Sequence, residues 1–248
     1  MGIFLLTMAD QLQFFVRGSF SLIFVIISIL IGLRLISKYF QYGQKNFISV
    51  GLTWIFLSSS WWWSGFNFIA NLFNYSLSET SYLILSNGFI APALVSWLYS
   101  FTTLAYEQWK QKILILSLGI AIPYEFILLI LIFAQPTLIG WEVSENVISR
   151  TPLTLSVAII AIVIALITGL IFSKNAMKSQ DKEIKWKGRF LLLAFVLFTI
   201  GAGLDSVSWT SFFMIILIRL ILIMSSIIYY IAFFLPDRVK KVLIKEEL

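Results

Sequence analysis

Long apolar runs alternate along this chain with short polar or charged interruptions. A helix crossing a hydrocarbon core takes roughly 20 apolar residues. Seven such runs are predicted, at about Phe15 to Ile36, Phe47 to Phe68, Tyr82 to Tyr106, Ile113 to Ala134, Pro152 to Phe172, Phe190 to Leu204 and Trp209 to Leu235. Residues 1–14 read as a short outer segment without the basic leader and full apolar region of a signal peptide. Residues 15–236 form the membrane domain, and 237–248 a short basic tail. The third run carries Pro92, which frees a carbonyl near Gly88. Pro123 is expected to break the fourth, and the sixth is short for a span. The expected fold is all-α and polytopic, with seven transmembrane helices.

Composition agrees with that pattern. The chain is 60% hydrophobic and 12% charged, with a mean hydropathy of +0.95, against about 25% charged residues in soluble domains. Its 248 residues accommodate seven spans and no folded soluble domain besides, so a catalytic or signalling partner is expected to be a separate chain. The chain has no cysteine and no histidine. That removes disulfides, thiol catalysis, histidine metal sites and a Ser-His-Asp triad.

Charge supplies an orientation. Arg34, Lys38, Lys45, Lys110, Lys112, the six basic residues from Lys174 to Arg189, and Arg238, Lys240, Lys241 and Lys245 fall on one side of the predicted spans. Arg17 and Arg150 fall on the other, and Arg219 lies within the seventh span. By the positive-inside rule the crowded side is cytoplasmic, so the N-terminus is outside, the C-terminus inside, and the chain belongs in the cell membrane. The net charge of +6 then faces anionic lipid headgroups; nucleic acid is not implied. Lys174, Lys178, Lys182, Lys185 and Arg189 recur at helical spacing and read as a lipid-surface helix, or as a docking site for a cytoplasmic partner protein.

Ionisable groups inside a membrane are expensive and point to partners or function. Glu125 and Arg219 lie at similar predicted depths, with Tyr124, Ser225 and Ser226 expected as nearby hydrogen-bonding groups. They are expected either as an ion pair fixing helix positions or as a ligand-headgroup or proton-linked site. In the second span Thr53, Ser60, Ser64, Asn67 and Asn71 form a polar stripe, which reads as a helix contact or as a pocket wall. Trp61, Trp62 and Trp63 point about 100° apart, so at most two can face one cavity. Tyr99 shares a face of the third span with Pro92, Ser96 and Thr103. The candidate ligand-binding set is Arg219, Glu125, Tyr124, Ser60, Ser64, Asn67, Trp63 and Tyr99. Asp205 reads as a turn or cap residue near the outer surface.

Seven spans in this orientation suggest retinal proteins, yet no lysine lies in the seventh span to form a Schiff base, so retinal and other cofactors are not expected. Trp61 and Trp62, the segment Thr199 to Asp205, and Phe234, Leu235 and Pro236 make the layout resemble the seven-helix sensor module of prokaryotic histidine kinases and archaeal seven-helix proteins of that kind. That resemblance implies a receptor-like or sensor-like module with an outward-facing polar and aromatic pocket, signalling through a separate partner. The alternative is a small-solute transporter of three plus one plus three helices, since Leu35 to Lys38 is echoed by Ile171 to Lys174. A single deep carboxylate and no histidine point away from an enzyme.

Overall fold

In a computed structural model the described residues are 8–144, 147–206 and 211–244. Ten α-helices and one β-hairpin are present among them: α1 (Met8–Tyr42), α2 (Asn46–Leu57), α3 (Trp62–Leu72), α4 (Glu79–Asn87), α5 (Ile90–Ala105), α6 (Lys110–Ala134), β1 (Gly140–Ser144), β2 (Val147–Arg150), α7 (Pro152–Met177), α8 (Lys182–Asp205), α9 (Phe212–Phe234) and α10 (Asp237–Leu243). Six stretches are long and apolar enough to cross a bilayer: 11–42, 79–105, 107–134, 152–177, 182–205 and 212–234. The second predicted span is instead an interrupted segment, α2 and α3 joined by a 3-10 turn at Ser58–Trp61. Serine hydroxyls explain the interruption. Ser58 Oγ donates to the Ile55 carbonyl and accepts from Trp62 Nε1 at 2.9 Å, competing with regular helix bonding.

Other boundaries also differ from expectation. Already helical from Met8, α1 takes in part of the segment assigned outside the membrane. Pro123 does not break α6, which runs through it at the cost of one backbone hydrogen bond. The sixth helix is not short: Asp181 caps it by accepting from the Glu183 and Ile184 amides, so it starts at Lys182. The predicted surface helix over Lys174 to Arg189 is therefore the end of α7 and the beginning of α8. The loop after α6 contains the hairpin, paired antiparallel with Gly140 opposite Arg150. Thr151 then caps α7, with Pro152 at the first helical position, where its missing amide hydrogen is harmless.

Helix contacts run from α1 to α2 and α3, from α2 to α5, from α5 to α7, then through α8 and α9 back to α1. This closes a ring. Against its outside, on α4 and α5, lies α6, and the lipid-like face of α6 leaves Ile115, Leu116, Phe126 and Phe133 exposed. Glycine sets the closest approach in the ring. A Cβ added at Gly51 would lie 2.6 Å from the Gly32 carbonyl oxygen, so only glycine lets α2 meet α1 there.

The ring interior is aromatic. Trp54 stacks on Tyr229 at 3.7 Å between centroids, and Phe195, Phe198 and Trp97 pack around that pair. Side-chain hydrogen bonds tie neighbouring helices: Ser49 to Ser100 at 2.6 Å, Trp97 Nε1 to Thr168 at 2.7 Å, and Ser28 to Ser226 at 3.4 Å. Ser225 donates to the Leu222 carbonyl. Neither Ser225 nor Ser226 bonds to the deep charges, as the sequence had suggested for them.

Candidate functional site

Above the aromatic floor, toward the hairpin, the ring encloses a cavity of about 210 Å³. Arg17 of α1, Arg150 of β2, Asp205 of α8 and Arg219 of α9 all line it. Three guanidiniums therefore share the cavity with one carboxylate. Arg219 is only 4% exposed, and its Nη1 lies 3.1 Å from Asp205 Oδ2. The same Oδ2 accepts from Trp61 Nε1 at 2.8 Å. Arg17 lies within electrostatic range of both Arg219 and Asp205.

Glu125 is not the partner of Arg219. It sits on the outlying α6, beside the break between α4 and α5, where a Cβ on Gly88 would be 4.0 Å from its Oε2. Neither Glu125 nor Tyr124 lines the cavity. Equal depth put both residues in reach on the sequence, but α6 is excluded from the ring, so depth did not translate into proximity.

The remaining candidates divide. Ser60, Ser64 and Trp63 line the cavity, together with Thr53 and Trp61. Trp62 turns away to pack on Phe66 and Phe89. Asn67 is fully buried away from the cavity, where its Oδ1 accepts from the Leu77 amide and pins the chain that follows α3. Asn71 donates to the Asn67 carbonyl. Thr53, Ser60 and Ser64 face the cavity on both sides of the 3-10 turn, so the stripe leaves it only beyond Ser64, within α3. Tyr99 is placed at the opposite end of α5, with Lys110 Nζ 4.4 Å above its ring. It is no part of the cavity.

Sequence reasoning left Arg17, Asp205 and Arg150 out of the candidate set. Arg150 Nη2 donates to Ser60 Oγ at 3.2 Å and to the Ser86 carbonyl at 3.1 Å. A freed carbonyl was expected near Gly88 from Pro92. The helix breaks between Asn87 and Ile90, and an arginine takes the carbonyl of Ser86. The signal was present as the lone basic residue of an acidic loop, but the hairpin that directs it inward was not legible.

Among the described residues, the residues that line the cavity carry four buried side-chain atoms without a hydrogen-bond partner, Arg219 Nε and Nη1, Arg150 Nε and Trp63 Nε1. Arg219 Nη1 is close to Asp205 but off the line a hydrogen bond requires. All four are donors. A surplus made only of N–H groups, beside three cations and one anion, matches a ligand that brings acceptors and negative charge.

The fold and cavity define a helical membrane protein with a cationic, donor-lined pocket. Comparison with protein-family models, curated proteins and solved structures finds no match.

Proposed function

We propose that this chain is a seven-span receptor-like module of the cell membrane, with its N-terminus outside and its C-terminus in the cytoplasm. Its pocket takes a small anion from the outer side, and its basic end passes the bound state to a separate partner. The carrying observation is the donor-only surplus of Arg219, Arg150 and Trp63 around one cavity. Counting α2, its 3-10 turn and α3 as one interrupted span gives the seventh crossing. Interrupted spans are tolerated where the broken backbone is buried in protein or lines a cavity. The aromatic floor beneath the pocket favours a receptor over an open pore.

Isothermal titration of the protein in zwitterionic lipid nanodiscs with carboxylates, the matching amines and neutral amides tests this reading. Carboxylates are expected to bind, with Arg219→Gln weakening them at least tenfold. Equal binding of the amine or amide, or no carboxylate binding, overturns it.

Transport is the second reading, favoured by one observation. With α6 outside the ring, the spans before it and the spans after it form two consecutive triplets joined by a linker helix. Uptake of the bound carboxylate into proteoliposomes separates the two readings, since the receptor binds without moving its ligand.

A further inference from the structure

The cavity is charged at one end only, the Thr53 hydroxyl at the other end being taken by the Ser49 carbonyl, and that asymmetry bears on which anion it takes. We infer, resting on the anion-binding reading above, that the ligand is an amphiphilic monocarboxylate whose apolar tail lies below its headgroup, against α7.

Arg150 and Asp205 lie at the hairpin end of their elements, and Arg219 points back toward that end because helical side chains lean toward the helix N-terminus. The charged groups therefore gather at the top. Along α7 the lining continues from Leu155 to Ala165, about 15 Å of helix at 1.5 Å per residue. Its deeper part is apolar. Ala158, Ala161 and Ala165 recur on one face of α7, opposite Trp97 and Phe198.

Small residues on that face leave the space open. Valine, leucine or isoleucine fills the neighbouring positions of α7, so alanine at these three is a feature of this face. Interiors pack close to crystal density, and an apolar void gives up contacts that a tail would restore. A hydrophilic dianion would satisfy the arginines but leave this wall bare. A neutral apolar molecule would fill the wall but leave the donors unmet. The amphiphile answers both.

Asp205 defines how the headgroup binds. Its carboxylate occupies one side of Arg219 and leaves Nε without an acceptor. A ligand carboxylate is directed to the Arg219 guanidinium, with Arg150 and Trp63 as further donor residues of the same cavity.

The test uses the full chain in zwitterionic lipid nanodiscs, with empty nanodiscs as the reference, and titrates acetate, hexanoate, hexanol and hexylamine. Hexanoate is expected to bind at least tenfold tighter than acetate, and hexanol and hexylamine to bind no better than to empty nanodiscs. Ala165→Leu, which fills the deep wall, should remove the hexanoate advantage while changing acetate affinity by less than twofold. Should that variant not fold, Ala161→Ser serves: a hydroxyl against the tail lowers hexanoate affinity several-fold and spares acetate. Hexanoate binding no tighter than acetate overturns the inference and leaves the anion reading standing. Failure of both carboxylates to bind, or equal binding by hexylamine, overturns the anion reading and this inference with it.

Discussion

Arg219 and Asp205 hold each other across the connection between α8 and α9, Nη1 to Oδ2 at 3.1 Å, the guanidinium 4% exposed and the carboxylate 30%. Asp205 is the last residue of α8, where the helix dipole disfavours a negative charge. It is therefore no cap. The Arg219 cation and the Trp61 indole N–H offset that cost, and one carboxylate fastens three segments of the ring. Asp205→Asn should leave Arg219 buried without its counter-charge. Breaking a buried pair costs about 3 to 5 kcal/mol, and the partial exposure of Asp205 reduces that to roughly 1 to 3 kcal/mol. Thermal unfolding in detergent reads the loss, and a double-mutant cycle with Arg219→Gln should give a coupling above about 0.5 kcal/mol. Additive effects would mean the two side chains act separately. The same variant should bind carboxylates more tightly, since it removes the internal competitor.

Glu125 behaves differently under this structure. Its Oε1 is buried on α6 without a hydrogen-bond partner among the described residues, outside the arginine-lined cavity. Glu125→Gln should cost less than about 1 kcal/mol or stabilise slightly, because it removes a poorly satisfied carboxyl and unpairs nothing. Its effect should add to that of Arg219→Gln within about 0.5 kcal/mol. A large loss of stability specific to Glu125→Gln would restore the ion pair that the sequence suggested.

What the sequence made legible was the physics of single helices. Apolar run length placed the long helices, and the cost of a deep arginine drew attention to Arg219 before any partner was known. The polar stripe located Ser60 and Ser64, and the Trp61 to Trp63 triplet was correctly limited to two cavity-facing rings. What failed needed knowledge of neighbours. Matching Glu125 to Arg219 assumed that α6 joins the ring, and periodicity says nothing about that. Arg150 depends on a hairpin with weak sequence signals. Asn67 and Tyr99 lie on plausible faces, yet Asn67 is taken by the chain that follows α3 and distance along α5 removes Tyr99. Ser58, which donates back to Ile55, carries the local chemistry for the 3-10 turn between α2 and α3.

Glycines separate packing from propensity. A Cβ at Gly51 would meet the Gly32 carbonyl at 2.6 Å and Ile36 Cγ1 at 2.7 Å, whereas one at Gly203 meets nothing within 4 Å. Gly51→Ala should lose about 1 to 3 kcal/mol through overpacking of α1 against α2. Gly203→Ala should gain up to about 1 kcal/mol, since alanine is the better helix residue where space is open. Paired melting curves decide it. Similar effects at both positions would show that helix propensity, and not the α1–α2 contact, governs this bundle.

Orientation is open to a direct test because the chain has no cysteine of its own. Gln44 and Gln180 are exposed in turns at the basic end of the bundle, and Tyr75 and Gln135 are exposed at the hairpin end. Each can carry a lone cysteine without disturbing a buried contact. The lysine and arginine asymmetry predicts that an impermeant maleimide labels Tyr75→Cys and Gln135→Cys on intact cells, and labels Gln44→Cys and Gln180→Cys only after permeabilisation. The pair at residues 44 and 75 brackets α2, the 3-10 turn and α3, so it also tests whether this interrupted segment crosses the bilayer. Labelling of both from the same side would make it a re-entrant element, reduce the crossings to six and leave both termini on one face. Labelling from opposite sides, with residue 75 outside, gives seven crossings and opens the arginine cavity to the exterior.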